Sequence, residues 1–504
     1  MDKKRVKEDL RRTFDDVEQA IDVIVALQED ERLTHSQLVE ASQQLEAANQ
    51  RIQQLEERVA QLEKDKSGEK LDEPYSVKAE EKRQEKRGKR KKKTAKPTRR
   101  GRRTTDEKIQ QAKFHRHVYP QGIPRDQCKL SHKRPVWRLE KGQAVLVAYH
   151  VYRSGNQYGR IPFTLGRSEF GLEFIITIAH MVYTMGIPFD KTCALLQFFQ
   201  GLQISKSQAN ALMNQLARQW EGEFEIICTL LAHAAVVHAD ETSWSIKSVW
   251  GFLSEQVNLF LFGVNKDAQT LAAVLDKALF KGSLVSDDAN VYQGFSKAQK
   301  CWAHLLRKAI KLTLQNPENA TYRAFADALL ALYHKACRVK RDGRYTDATR
   351  QRKAGELKDE LLQLCVARWW DETPGSDDVE DAHRLLANEL VRLALDDELF
   401  TFVTTAGVPG TNNDMERDLR PVSGARDTCR GNKPGIGCRR QSVIYTVLSS
   451  LQRQLPTYTL ESVVTEVQRW WKAGRSCFQD VLDRLGLRLR ATSVLDQLLP
   501  LDTS

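Results

Sequence analysis

Apolar residues recur at three- and four-residue spacing near the start of the chain, as Leu10, Phe14, Val17, Ile21, Ile24 and Leu27. After a break around Glu29 to Thr34 they settle into heptads, with Leu38, Leu45, Ile52 and Val59 on one track and Leu55 and Leu62 on the other. That is the seam of a coiled coil. A helix so polar on its remaining faces has little to bury against except a second copy, so residues 1–64 are expected to self-associate as a homo-oligomer. The periodicity then stops, and residues 65–108 read as a charged, disordered linker. Strand-like alternation around Val145 to Tyr152 predicts a small β unit over 109–165. Residues 166–230 turn helical, in segments split by Gly186-Ile187-Pro188 and by Gly201, with Ser205 as N-cap of the last. Short helices joined by turns fit a helix-turn-helix and an ordinary bundle equally well.

From 231 to 315 the pattern changes again. AAVVHADETSWSI (Ala234–Ile246) is a β-branched strand running into an acid, and WGFLSEQVNLFLFGVN continues it as two strands of a meander turning near Gln256 to Asn258. A helix, AQTLAAVLDKAL, precedes a second acid-tipped strand in LVSDDANVYQGF; KAQKCW and the helix AHLLRKAIKL follow. Strand with Asp, strand, strand, helix, strand with Asp, helix is the order of a ribonuclease-H-like fold. Residues 316–405 read as a polar helical stretch and 456–504 as a helical tail carrying Trp470 and Trp471.

Charge sharpens this picture. The chain of 504 residues carries a formal net charge of +12, yet between Lys82 and Arg103 there are fourteen Lys or Arg and one acid, Glu85, so this stretch alone accounts for +13. The remainder is close to neutral. Lysines and arginines that neutralise phosphates release condensed counterions, which makes this block, and in particular Lys89, Arg90, Lys91, Lys92, Lys93, Arg99 and Arg100, a candidate for sequence-independent DNA contact. The nine cysteines show no paired spacing and no apolar secretory segment opens the sequence, so a reducing cytoplasmic location on DNA is expected. No run approaches the ~18–20 apolar residues of a membrane helix, and no membrane partner is expected. Cys128 and His132 resemble part of a degenerate zinc finger, but a second Cys pair is missing nearby, so zinc is not expected.

The candidate chemistry lies in carboxylates. In a strand Val236, His238 and Asp240 share one face, while Val237, Ala239 and Glu241 share the other. Asp240 and Asp287 can reach one edge of the sheet; hard oxygen sites take Mg²⁺ or Mn²⁺, and two such ions clamp the attacking and leaving oxygens of a phosphoryl displacement. Asp288 should point away from Asp287. A third acid is sought in GTNNDMERDLRPVSGARDTCRGNKPGIG, where Asn412, Glu416 and Arg420 share a polar face and Met415 and Leu419 face the core. Thr411 with Asp414 resembles a capping box, and Pro421 is the expected end of the helix. Glu416 and Arg420 could equally be a surface ion pair. Arg426, Arg430, Lys433, Arg439 and Arg440 surround Gly431, Gly435 and Gly437, as a loop that approaches a DNA backbone or as a plain exposed basic loop.

HADET at His238–Thr242, SDDANVY followed by KCWAHLLRK, and NNDMERDLRPV together resemble the insertion sequence 66 family of DDE transposases, over roughly residues 168 to 452. The coiled-coil start is similar too, and the resemblance implies a helical insertion, residues 316–405, ahead of a second part of the core, 406–455; the fold class expected is an α/β ribonuclease-H-like catalytic core with an all-α insertion, preceded by a helical DNA-binding region and an N-terminal coiled coil. The resemblance implies that Asp240, Asp287 and Glu416 are the catalytic, metal-holding acids of a two-ion enzyme that cleaves transposon ends and transfers strands into target DNA. Arg417 and Arg420 would then meet DNA phosphates, accessory proteins are candidate partners, and His304, which opens the helix after the core strand, is expected to support the fold or a phosphate rather than to ligate metal. The zinc-finger cysteine pairs of many relatives are not recognisable in this chain. Two other readings compete: a transposase-derived DNA-binding protein that no longer cuts, and a ribonuclease-H-like nuclease that hydrolyses without joining.

Overall fold

The structure is a computed structural model and describes residues 104–244, 247–369, 378–429 and 435–500. The expected coiled coil and the basic block fall outside the described residues. Helix α1 (Thr105–Gln110) opens on a capping box between Thr104 and Glu107. A four-stranded sheet follows, in which β1 (Phe114–Val118) runs parallel to β3 (Gln143–Ser154), and β2 (Lys129–Glu140) and the short β4 (Gln157–Tyr158) pair with β3 antiparallel. The β2–β3 hairpin turns through Lys141 and Gly142, both at positive φ, the conformation of the tight turns whose twist suits a two-residue hairpin. Cys128 and His132 stay apart in this unit: the Cys128 thiol donates to the Pro124 carbonyl, and His132 pairs with Ser131.

Helices α2 (Leu172–Ala179), α3 (Phe189–Gln200) and α4 (Lys206–Ala232) come next, and Ser205 caps α4 in a reciprocal box with Gln208. The central sheet has the order β7-β6-β5-β8-β9. Strands β5 (Val236–Trp244), β6 (Lys247–Leu253) and β7 (Asn258–Val264) form the antiparallel meander read from the sequence. Helix α5 (Ala268–Val274) leads to β8 (Ser283–Ser286), parallel to β5, and to β9 (Ala298–Lys300), parallel to β8. Strand β9 has no alternating signature and only three residues; the sequence had not revealed it.

The chain then builds α6 (Trp302–Gln315), α7 (Ala320–Arg341), α8 (Asp347–Trp369), α9 (Asp378–Leu395) and α10 (Thr401–Thr404). These helices share a core of their own, which takes in Val285 and leans on Val236 of the sheet, while Val237, Ala239 and Leu284 belong to the larger core. Alternation along β5 and β8 thus divides the two layers.

Helix α11 (Asn413–Cys429) corrects two expectations. It begins at Asn413, so Thr411 is not its cap, and it runs through Pro421. Proline removes one helical N–H and crowds the carbonyl four residues earlier, but Val422, buried just beyond it, holds the next turn on the core. A third correction concerns Arg439 and Arg440. They lie buried in α12 (Gly435–Gln454) and not in a loop. Arg439 bonds both oxygens of Glu221 at 2.8 and 3.1 Å and Asp496 at 2.9 Å, and Arg440 bonds the side-chain oxygens of Asn210 and Asn214 at 2.7 Å each. Among the other three, Arg430 and Lys433 lie outside the described residues.

Helix α12 also closes the edge of the sheet. Ser442, Thr446 and Ser450 accept the outward amides of Phe262, Phe260 and Asn258 of β7 at 2.9, 2.9 and 3.0 Å. Four helical residues rise about 6 Å and two strand residues about 6.6 Å, so hydroxyls every fourth position keep step with alternate strand amides. Gly263, at φ +70° in a bulge of β7, leaves room for Cys438; a Cβ there would stand 2.5 Å from its sulfur. The tail, α13 (Leu460–Ala473), α14 (Cys477–Arg484) and α15 (Val494–Leu498), docks back on α4, where Glu225 receives Ser493 and the first amides of α15. No helix among the described residues is long and apolar enough to cross a membrane.

Candidate active site

Strand register brings the first two acids together. Val236, Val237 and His238 pair with Ser283, Leu284 and Val285, a constant offset of 47, and the same offset carries Asp240 to Asp287, the residue after β8. Asp240 Oδ1 accepts the amide of Glu241 at 2.8 Å, and Asp287 Oδ1 that of Ala289 at 3.1 Å. Burial, then the charges of Glu241, Asp287 and Glu416, push the Asp240 carboxyl up from its ordinary 3.8 to about 7.

The adjacent acids have different surroundings. Glu241 is buried, paired with Lys266, and bonded by the Tyr292 hydroxyl. The hydrogen bond between Lys266 and Glu241 holds the Lys266 ammonium above its usual range, and burial together with the Glu241 charge raises the Tyr292 phenol. Asp288 is paired with Arg392 of the helical layer. Among the described residues Asp240 and Asp287 have no such cation. Lys300, fully buried, donates to the Asp287 carbonyl at 3.2 Å, and burial lowers its pKa. A cleft of about 480 Å³ opens beside Asp287, with Lys300, His304, Lys308 and Arg392 among its walls.

Helix α11 brings the third acid. Opposite Asp240 on β6 stands Gly251, and a Cβ there would meet Met415 Cε at 2.3 Å and Leu419 at 3.2 Å, so the missing side chain admits the helix. Met415 and Leu419 are buried as the sequence suggested. Asn412, expected on a polar face, is buried and acts as the joint. Its Nδ2 donates to the Ala239 carbonyl at 3.0 Å, its Oδ1 accepts His238 Nδ1 at 2.9 Å, its amide donates to Cys301 Sγ at 3.1 Å, and its carbonyl accepts the Glu416 amide at 3.1 Å. One residue therefore ties β5, through its side chain, to the start of α6 and the turn carrying Glu416, through its backbone.

Glu416 is itself held by Arg307, at 3.2 and 3.3 Å, with His304 Nδ1 3.7 Å away. Its partner is thus Arg307 and not Arg420, which is exposed; Arg417 is exposed and paired with Asp414. Lys89 to Lys93, Arg99 and Arg100 lie outside the described residues.

The description Transposase IS66 family matches residues 167–433, more than half of the 504. The chain belongs to the IS66 transposase family. No curated protein matches it. The family match takes in the three helices before the sheet, all five strands, the helical layer and Glu416, and ends ahead of α12. Membership of the IS66 family makes this a protein of transposition, acting on DNA. Sequence reading singled out Asp240, Asp287 and Glu416 as candidates and passed over Lys266, Tyr292, Lys300 and Arg307, whose signal is only proximity in the fold. Asn412 could have been singled out as a polar residue before an apolar-faced helix, a common joint position.

Proposed function

We propose that this IS66 transposase is a DDE enzyme that cleaves DNA at element ends and joins the freed 3′ ends to target DNA. Its five-stranded sheet would be a ribonuclease-H-like core interrupted by the helical layer 316–405. Asp240, Asp287 and Glu416 would hold two divalent ions, Mg²⁺ or Mn²⁺, which when bound polarise the phosphodiester and offset charge on the attacking and leaving oxygens. The donor set fits: all three are hard oxygen ligands, and the carboxyl of Asp240 stays protonated to near pH 7 where no cation relieves its neighbours.

The observation that carries the reading is selective neutralisation. Glu241 and Asp288 have their cations, whereas the carboxylates of Asp240 and Asp287, brought level by strand register, have no ion pair among the described residues. Asn412 ties the turn that carries Glu416 to the Ala239 carbonyl of β5, and Arg307, Lys308, Arg417 and Arg420 would offer positive charge to DNA phosphates. The basic block 82–103 would add sequence-independent DNA affinity, and residues 1–64 would join copies through a coiled coil.

The test is joining of DNA that carries the element ends in Mn²⁺ or Mg²⁺, with Asp240→Asn alongside. Joined products from the wild type alone are expected, with a loss in the variant exceeding the roughly 10- to 100-fold typical of an outer-shell partner. Cleaved but never joined DNA would make it a nuclease, and tight binding without cleavage a DNA-binding derivative.

A further inference from the structure

Cys301 and His304 face Glu416 across the junction of α6 and α11. The Cys301 sulfur, one His304 nitrogen and one Glu416 oxygen lie within 4.8 Å of one another, and they are the one such metal-competent group among the described residues. The spacing Cys-X-X-His sets both ligands on the first turn of α6, Cys301 at its cap. The backbone amide of Asn412 donates to the sulfur at 3.1 Å, while burial raises the thiol, so in this site the proton leaves only as an ion takes its place. His304 Nδ1 is enclosed and has no hydrogen-bond partner, 3.7 Å from Glu416 Oε1. A buried ring nitrogen without a partner is costly unless something fills its lone pair.

We propose that Cys301, His304 and Glu416 form a second metal site, chemically distinct from the carboxylate site, for a thiophilic divalent ion of the Zn²⁺ type. Softness separates the two. Thiolate and imidazole select Zn²⁺ or Co²⁺, whereas a set of carboxylates selects Mg²⁺ or Mn²⁺. Three protein ligands leave one tetrahedral position for water. Ligands around such an ion stand roughly 3.3–3.8 Å apart, so closure needs side-chain shifts of about 1 Å. Arg307, bonded to Glu416 from outside, is the orienting partner. Glu416 belongs to both sets, a statement that rests on its role as third catalytic acid, so an ion in the soft site draws that carboxylate out of the hard one and zinc becomes an inhibitor.

The experiment is a Co²⁺ titration of the full-length, reduced protein without DNA, read by the thiolate-to-cobalt absorption band. One equivalent is expected to bring up the band, and Zn²⁺ to erase it. Cys301→Ser and His304→Asn should each weaken it at least tenfold while melting cooperatively, and Asp240→Asn should leave it intact. The proposal is overturned if wild type shows no band, or if the band survives Cys301→Ser and His304→Asn. A band that persists in a protein unable to join DNA would sink the transposase mechanism and leave this site standing. Conversely, Mg²⁺-driven joining that Zn²⁺ at saturating occupancy does not slow would overturn the shared role of Glu416.

Discussion

A carboxyl that keeps its proton to about pH 7 makes Asp240 a measurable liability in the ion-free protein. Its unfolded counterpart ionises near pH 4, so between about pH 4 and 7 the unfolded chain has released a proton that the folded chain retains. Stability therefore falls as pH rises through that window, and the penalty is fully present above it. Asp240→Asn is expected to melt higher than wild type at pH 8 and to differ little at pH 4. Mg²⁺ or Mn²⁺ should raise the wild-type melting temperature at pH 8 and leave that of Asp240→Asn nearly unchanged; an equal rise in both would place the ion elsewhere. Asn412→Ala strips the partners from His238, the Ala239 carbonyl and the joint to β5. Each buried group left unpaired costs about 1–3 kcal/mol, so a fall of a few degrees in melting temperature should accompany a drop in joining, read on the same preparation.

Among the elements, α11 is set by an absence, the missing side chain at Gly251. Gly251→Val should push Met415 and the turn bearing Glu416 off the sheet and reduce joining at least tenfold with DNA affinity kept. Met415→Ala in the same chain should restore part of the rate, and failure of that rescue would mean that the strand, not the helix, had moved. Thr446→Val removes a buried acceptor from Phe260 and is expected to cost about 1–3 kcal/mol in chemical denaturation. These elements also mark how far sequence reading reaches. The meander, α4 with its Ser205 cap, and the placing of Asp240 within β5 and Asp287 just past β8 were legible because alternation, capping and β-branched runs are local signals. Three-residue β9, the passage of α11 through Pro421 and the burial of Arg439 and Arg440 were not, because each depends on partners far along the chain: Arg439 is an exposed base until Glu221 and Asp496 meet it. Glu416 stood out through family resemblance, since spacing alone could not separate it from a surface ion pair.

At the scale of the whole molecule the described body has hydrophobic cores of its own. Removing residues 1–103 should leave melting of the body little changed, while sedimentation shifts to a smaller species and nonspecific DNA affinity loses its steep salt dependence. A truncated chain that still associates would overturn the coiled-coil reading. The tail behaves oppositely: Trp470 packs edge-on to Trp220, and Arg490 bonds the carbonyls ending α5, so ending the chain at 455 should unfold the body and not merely trim it. The edge of the sheet carries one more consequence, in time. Phe260 and its hydroxyl partner Thr446 are 186 residues apart, and ribosomes add about 5–20 residues per second. For roughly 9 to 37 seconds of every synthesis the apolar meander exists with its outer amides bare, a template for another nascent strand. Yield of this protein from cells should therefore depend on translation speed and on holding chaperones, and chains stalled before residue 442 should be the ones found in the insoluble fraction.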